Sequence, residues 1–264
     1  MFSITTAQLD AWIAAFLFPM ARILALVATA PILGNRGIPA RIRLGIGLVL
    51  TFAIAPLAGP LPDVAPASWS GLGILVEQMA IGVTMGFTMR LAFSAVDMAG
   101  ELIGLQMGLG FANFFDPQHG VSVPVVAQFL GLLATLFFLA INGHLMVIAT
   151  LAESFSAIPI GIGVQDGAQV AMGAASWGGQ IFLSGLTLAL PVLAALLITN
   201  VALGVLTRTA PQLNIFAVGF PITLLFGFFM LALTLPYLSG PLEKLLGSGV
   251  GAALEVARQL AVRP

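Results

Sequence analysis

Residues 125–158 read VVAQFLGLLATLFFLAINGHLMVIATLAESFSAI, and how this block is divided decides the fold. The run is apolar almost throughout, with Glu153 near its far end. A helix crosses the hydrocarbon core of a bilayer in about 20 apolar residues, so the block is too long for one upright span. Asn142-Gly143-His144 sits at its middle. Asn and Gly are usual where helices end, so the triplet predicts a break that turns the block into a helical hairpin. His144 then reads as a hydrogen-bonded turn or packing residue.

Working outward, further apolar blocks run from Ala11 to Leu33, Leu44 to Leu57, Leu72 to Phe93, Ile181 to Leu206 and Ile215 to Leu238. Most are long enough to span, and six or seven crossings fit, depending on how the central block is counted. Hydrophobic residues make up 59% of the chain and charged residues 7%. The mean hydropathy is +1.10, and soluble domains carry about 25% charged residues. The composition therefore predicts an all-α, polytopic membrane-type protein in contact with lipid.

Several function classes drop out on the same grounds. The net charge of −1 leaves no basic face to displace counterions from phosphates, so no nucleic acid is expected as a partner. The absence of cysteine excludes disulfides and zinc-thiolate sites. His119 and His144 are too few and too far apart in sequence to point to a metal. No metalloprotease His pair, nucleophile elbow or phosphate-binding loop is present, so neither an enzyme nor a cofactor site is expected. No cleavable signal peptide is expected either: Asp10 precedes the first apolar run, no basic residue does, and the run leads into Arg22.

Charge placement orients the start of the chain. Arg36, Arg41 and Arg43 favour a cytoplasmic loop, while the Gly59–Ser70 loop has Asp63 and no Lys or Arg, which puts the N-terminus outside. Arg208, Lys244, Arg258 and Arg263 leave the C-terminal side open. In the tail from Glu243 to Arg263, Leu245, Leu246, Ala252, Ala253, Val256 and Leu260 alternate with charges, which predicts a short surface helix.

Arg90, Ser94, Asp97 and Glu101 follow one another at spacings of four, three and four, one stripe on a helix. Charges at membrane depth cost about 2.5–3.5 kcal/mol each on insertion scales. The stripe therefore faces a partner, a water-filled path or an interface, or else the helix leaves the membrane near Arg90 and the stripe is solvated. On the same segment Gly82 and Gly86, then Gly100, Gly104 and Gly108, recur every four residues. Such ridges let helix backbones approach closely, so interhelical packing is expected along them.

The most unusual segment follows: Gly108-Leu109-Gly110-Phe111-Ala112-Asn113-Phe114-Phe115-Asp116-Pro117. The glycines ease positive φ, and Pro117 has no N–H and pushes Asp116 out of the helical region, so no regular helix runs through. Irregular backbone at membrane depth is tolerated only inside protein or beside an aqueous cavity. Phe111, Phe114 and Phe115 supply apolar mass to fill a constriction. Two readings fit these residues, a pore plug and an interfacial loop held at the headgroups by its aromatics.

Taken together, the segment from Gly108 to Gly120, the Asn142-Gly143-His144 break and Arg208-Thr-Ala-Pro-Gln-Leu-Asn-Ile-Phe-Ala-Val-Gly-Phe-Pro221 resemble the FliR family of flagellar type III secretion. The Arg22 helix, the Asn35-Arg36-Gly37-Ile38-Pro39 turn and the final apolar hairpin occur in the family's order, so the resemblance covers nearly the whole chain. It implies a non-enzymatic subunit of the export gate, in the bacterial inner membrane at the flagellar basal body. The implied partners are FliP, FliQ and FlhB, and the implied cargo is unfolded flagellar protein. It also implies bent helical hairpins, with roughly Met1–Gly173 built like FliP and Ala174–Pro264 like FliQ. Much of the gate would sit above the bilayer plane, and the Gly108–Pro117 loop would match the family's plug, with the flexible thioether of Met107 at its edge suited to repack around a passing chain. Arg208, Pro211, Gln212 and Asn214 would fall in the loop of the FliQ-like hairpin, lining the entrance or meeting FlhB. The corresponding subunit of a virulence injectisome is the near alternative. A self-sufficient small-solute transporter is the remote one, since such a protein needs repeated broken helices around a polar midplane site.

Overall fold

Helix boundaries follow the capping chemistry of the sequence. The computed structural model describes residues 5–35, 37–111, 124–161, 167–210, 212 and 215–260, and among these it contains helices and turns but no strand. Helix α1, Thr6–Thr29, opens on a capping box: the Thr5 hydroxyl accepts from Gln8 N, and the Gln8 side chain accepts from Thr5 N. It stops before Pro31, whose ring disfavours helix at the residue ahead of it. Helix α2, Ala40–Ile54, follows Pro39, and a 3-10 turn at Ala55–Leu57 closes it. Helix α3, Trp69–Gln106, starts where the Ser68 hydroxyl accepts from Gly71 N at 3.1 Å. The remaining helices are α4, Val125–Ala140; α5, Gly143–Ala157; α6, Gly167–Thr209; α7, Ile215–Thr234; and α8, Ser239–Leu260.

The central block breaks at the expected place. Asn142 adopts φ 58°, ψ 29°, the left-handed region that Asn tolerates better than most residues. Among the described residues, five helical stretches are long and apolar enough to cross a bilayer, and α4 with α5 makes a sixth if the broken pair is one span. A seventh crossing would require α4 and α5 to span separately. They have 16 and 15 residues; at about 1.5 Å per residue, each falls short of the roughly 30 Å hydrocarbon core.

The chain divides into two compact units, one drawn from Met1–Leu91, Asn142–Gly178 and Leu246–Pro264, the other from Ala92–Ile141 and Gly179–Leu245. In the first, Phe18, Leu26, Ile81, Met85, Leu151 and Phe155 form the core. The glycine ridge works there as predicted. A Cβ at Gly82 would meet the carbonyl of Arg22 and lie 2.8 Å from Ala25 Cβ, and one at Gly86 would lie 2.9 Å from Ala30 N. Helix α8 departs from the expected surface helix: Leu246, Ala253, Val256 and Ala257 are buried, so its apolar face belongs to the core while Glu255 and Arg258 stay outside.

In the second unit Gly100 lies against the backbone of Ala127 on α4, and Gly185 of α6 lies against the Ala95 carbonyl of α3. Phe93 and Phe138 meet edge to face at 5.6 Å. Between the helices lies an apolar cavity of about 400 Å³ lined by Val96, Ile103, Leu130, Phe137, Val192 and Leu231, among others. Throughout the helices, threonines turn inward onto their own backbone. Thr29, Thr51, Thr88, Thr135, Thr187 and Thr199 each donate to the carbonyl four residues back, at 2.7–2.9 Å.

Candidate functional site

The root of the glycine- and phenylalanine-rich segment is built by the end of α3 and the middle of α7. At the last turn of α3, Met107 N donates to Ile103 O at 2.9 Å and Gly108 N to Leu105 O at 3.0 Å. Gly108 then takes φ 86°, the left-handed conformation in which helices commonly end on glycine, and a 3-10 turn covers Leu109–Phe111. A side chain at position 108 would be strained by that φ whatever space surrounded it.

Met107 is fully buried. Gly227 makes room for it: a Cβ there would lie 2.5 Å from Met107 Cγ and 2.9 Å from its Sδ and Cε. Thr223, one turn earlier on α7, points its hydroxyl at Phe220 O, 3.0 Å away, and at Met107 O, 3.4 Å away. The longer contact brings a donor to a carbonyl that the end of α3 leaves without a helical partner. Sequence reading made Met107 a flexible residue beside a constriction. Within this chain it is a clamped core residue, and the signal missing from the sequence was Gly227, which lies far along the chain. Of the predicted loop, Gly108, Gly110 and the backbone of Phe111 are described, whereas Ala112, Asn113, Phe114, Phe115, Asp116 and Pro117 lie outside the described residues.

The polar stripe occupies one face of α3. Arg90, Asp97 and Glu101 are exposed and Ser94 is half-buried. Arg90, Ser94 and Asp97 each engage neighbouring groups, and Asp97 Oδ1 lies 2.9 Å from where a Cβ of Gly131 would stand on α4. Arg208 is exposed in the last turn of α6, where a cation complements the helix dipole, and Gln212 is exposed beyond it. Pro211 and Asn214 lie outside the described residues.

A second constellation had little signal in the sequence beyond a lone charge in an apolar helix. Arg22 of α1 is fully buried in the first unit. Its Nε donates to Gln78 Oε1 at 2.8 Å, Nη1 to Ser154 O at 2.8 Å and to Ser154 Oγ at 3.2 Å, and Nη2 to Ile158 O at 2.8 Å. The guanidinium also lies 4.3 Å over the Phe155 ring. Ile158 O lies past the end of α5, where carbonyls run out of helical donors, and Ser154 O, which already accepts from Ile158 N at 2.9 Å, gains a second donor, so Arg22 caps α5 from another helix. Planar, five-donor chemistry explains why this position holds arginine rather than lysine.

Comparison with known proteins bears on both places. The profile of the family described as Bacterial export proteins, family 1 matches residues 13–249. The chain is 45% identical over 239 residues to the Flagellar biosynthetic protein FliR of Escherichia coli K12, covering 90% of this chain and 91% of that one. It is 46% identical over 250 residues to the FliR of Pectobacterium carotovorum, covering 94% and 95%. The FliR of Bacillus subtilis is 31% identical over 219 residues. The chain belongs to the FliR family. With that membership the coarse function follows: an all-helical, membrane-type component of flagellar biosynthesis and export. In the FliR family's terms, the clamp around Met107 and the cap around Arg22 both fall inside the matched region.

Proposed function

We infer that the chain is a non-enzymatic subunit of the flagellar type III export gate, contributing to the channel for unfolded substrates and closing it with the Gly108–Pro117 loop. The observation that carries this reading is the root geometry. A 38-residue helix is stopped at a positive-φ glycine by a fully buried Met107, and the chain then enters a stretch with Phe111, Phe114 and Phe115. A stiff helix ending on a fixed residue is a suitable mount for a loop that must return to one place. Phenylalanine bulk closes a narrow pore by filling and dewetting it.

The implied neighbours are FliP, FliQ and FlhB homologues in the bacterial inner membrane at the flagellar basal body. The FliP-like part would end near Gly173, with a FliQ-like part from Ala174. Flagellar names among the relatives support a flagellar over an injectisome assignment. The exposed loop around Arg208 and Gln212 would meet FlhB or line the entrance.

The test is conductance. Replacing residues 110–115 with short polar residues should leave the gate assembled and copurifying with its FliP and FliQ homologues while raising ion leakage across the membrane several-fold. Unchanged conductance in a fully assembled variant would remove the plug role. Lost assembly with no leak would favour the headgroup-bound loop.

A further inference from the structure

We propose that the apolar cavity of the second unit is a binding site for one acyl chain of a membrane phospholipid. The proposal is independent of the plug and rests on what the walls of the cavity are able to hold.

The walls exclude water. Val96 and Ile103 of α3, Leu130 of α4, Val192 of α6 and Leu231 of α7 are buried and line a space of about 400 Å³. Thr234 and Ser239 are the lining residues with a polar side chain. The Thr234 hydroxyl already donates to Leu231 O at 3.0 Å, and the Ser239 hydroxyl to Pro236 O at 3.3 Å. An ordered buried water needs roughly two to four polar partners, which these walls do not offer. Among the described residues, the buried side-chain atoms left without a hydrogen-bond partner are Arg43 Nε, Gln78 Nε2 and His144 Nδ1, and none of them lines the cavity. An empty void of this size forfeits the dispersion contacts of its whole lining, so an apolar guest is favoured.

Size and access select the guest. A helix with its side chains is about 10 Å across and rises about 5.4 Å per turn, so a partner helix would seat only about one turn in this volume. A hydrocarbon chain is slender enough to enter. Roughly 150 Å³ of apolar cavity holds the six carbons of benzene, and the same proportion gives this cavity room for roughly 16 carbons, the length of a common acyl chain. Leu136 and Ala140 of α4 both line the cavity and are exposed, so it opens to the surface there. Leu132 and Leu139, four residues before and three after Leu136, are exposed as well, and the entrance therefore lies on an apolar helix face. The lining contains no Asp, Glu, Lys or Arg, so a charged headgroup finds no counter-charge inside and stays outside.

Photolabelling tests the site. The full chain, in the complex that copurifies with it, is placed in phospholipid vesicles containing a phosphatidylethanolamine with a diazirine near the end of one acyl chain. After irradiation the adducts are mapped by mass spectrometry, with exposed Leu132 as the reference for contact with bulk lipid. Adducts are expected at buried Ile103 and Val192 as well as at Leu132. Val192→Phe fills the space, and Ala140→Trp obstructs the entrance from an exposed position without crowding the core. Each should lower the buried adducts about tenfold, since even a modest clash shifts occupancy by that factor, and leave Leu132 labelled. If Val192→Phe does not fold, Ala140→Trp alone decides. Adducts confined to exposed residues overturn the site, as do buried adducts that survive closure of the entrance. Buried adducts found with the chain alone but lost in its complex mean that a neighbouring subunit fills the space, which also overturns it.

Discussion

Arg22 and Met107 are both fully buried, and both sit where one helix ends against another, yet they are held by opposite means. The guanidinium of Arg22 makes four directed hydrogen bonds at 2.8–3.2 Å to Gln78, Ser154 and Ile158. Met107 is held by shape, with one long contact from Thr223 at 3.4 Å. Withdrawing the first takes a donor from Ile158 O and from Gln78 Oε1, which is expensive in a low-dielectric interior. Withdrawing the second costs packing that a neighbour can partly refill. One junction is held by directed bonds, the other mainly by fit.

The largest effect is expected at the polar junction. Arg22→Met should destabilise the protein by about 3–5 kcal/mol, the usual cost of removing one partner from a buried charged network. The amount of protein accumulating in the membrane and its melting temperature in detergent both report this. Arg22→Lys should recover only part of the loss, because an ammonium cannot reach all three partners in the plane of a guanidinium. Parental stability in Arg22→Met would erase the contrast.

A matched pair of glycine substitutions sharpens it. At Gly82 an added methyl meets the Arg22 carbonyl and Leu26 N, backbone atoms that cannot step aside, so Gly82→Ala should cost about 1–3 kcal/mol. At Gly227 the atoms nearest the methyl are all in the Met107 side chain, a flexible thioether, so Gly227→Ala should cost less than about 1 kcal/mol. Equal shifts in melting temperature would mean that the second contact is as rigid as the first.

The exposed charges extend the comparison to the surface. Arg90→Glu places three acids along one face of α3 and should lower the yield of assembled complex by about twofold, with recovery on adding Asp97→Arg; like charges at this spacing repel by a few tenths of a kcal/mol. Assembly indifferent to Arg90→Glu would leave the stripe in solvent. The smallest effect belongs to the Arg258–Glu153 pair, 3.2 Å apart with both side chains about half exposed. A double-mutant cycle there should return less than about 1 kcal/mol, falling further with added salt.

Legibility followed distance along the chain. Asn142-Gly143, Gly108 and the Gly82/Gly86 ridge announce themselves through local backbone chemistry, and each does in the structure what its residue type predicts. Arg22 looked like a lone charge in an apolar run because its partners lie 56, 132 and 136 residues away. No window of local sequence contains that junction. The packing of Met107 was hidden for the same reason, since nothing near it shows that Gly227 has left a notch. The tail was read as a surface helix from its alternating charges, but the pattern records only that one face is apolar, not whether lipid, water or core lies against it.

The self-bonded threonines bear on how such a subunit is made. Thr29, Thr51, Thr135 and Thr199 carry hydroxyls on strongly apolar helices. Because each hydroxyl already donates to its own backbone, these positions present little unmet polarity to lipid tails and few sticky donors to a wrong neighbour. These four hydroxyls therefore need no second chain to satisfy their donors.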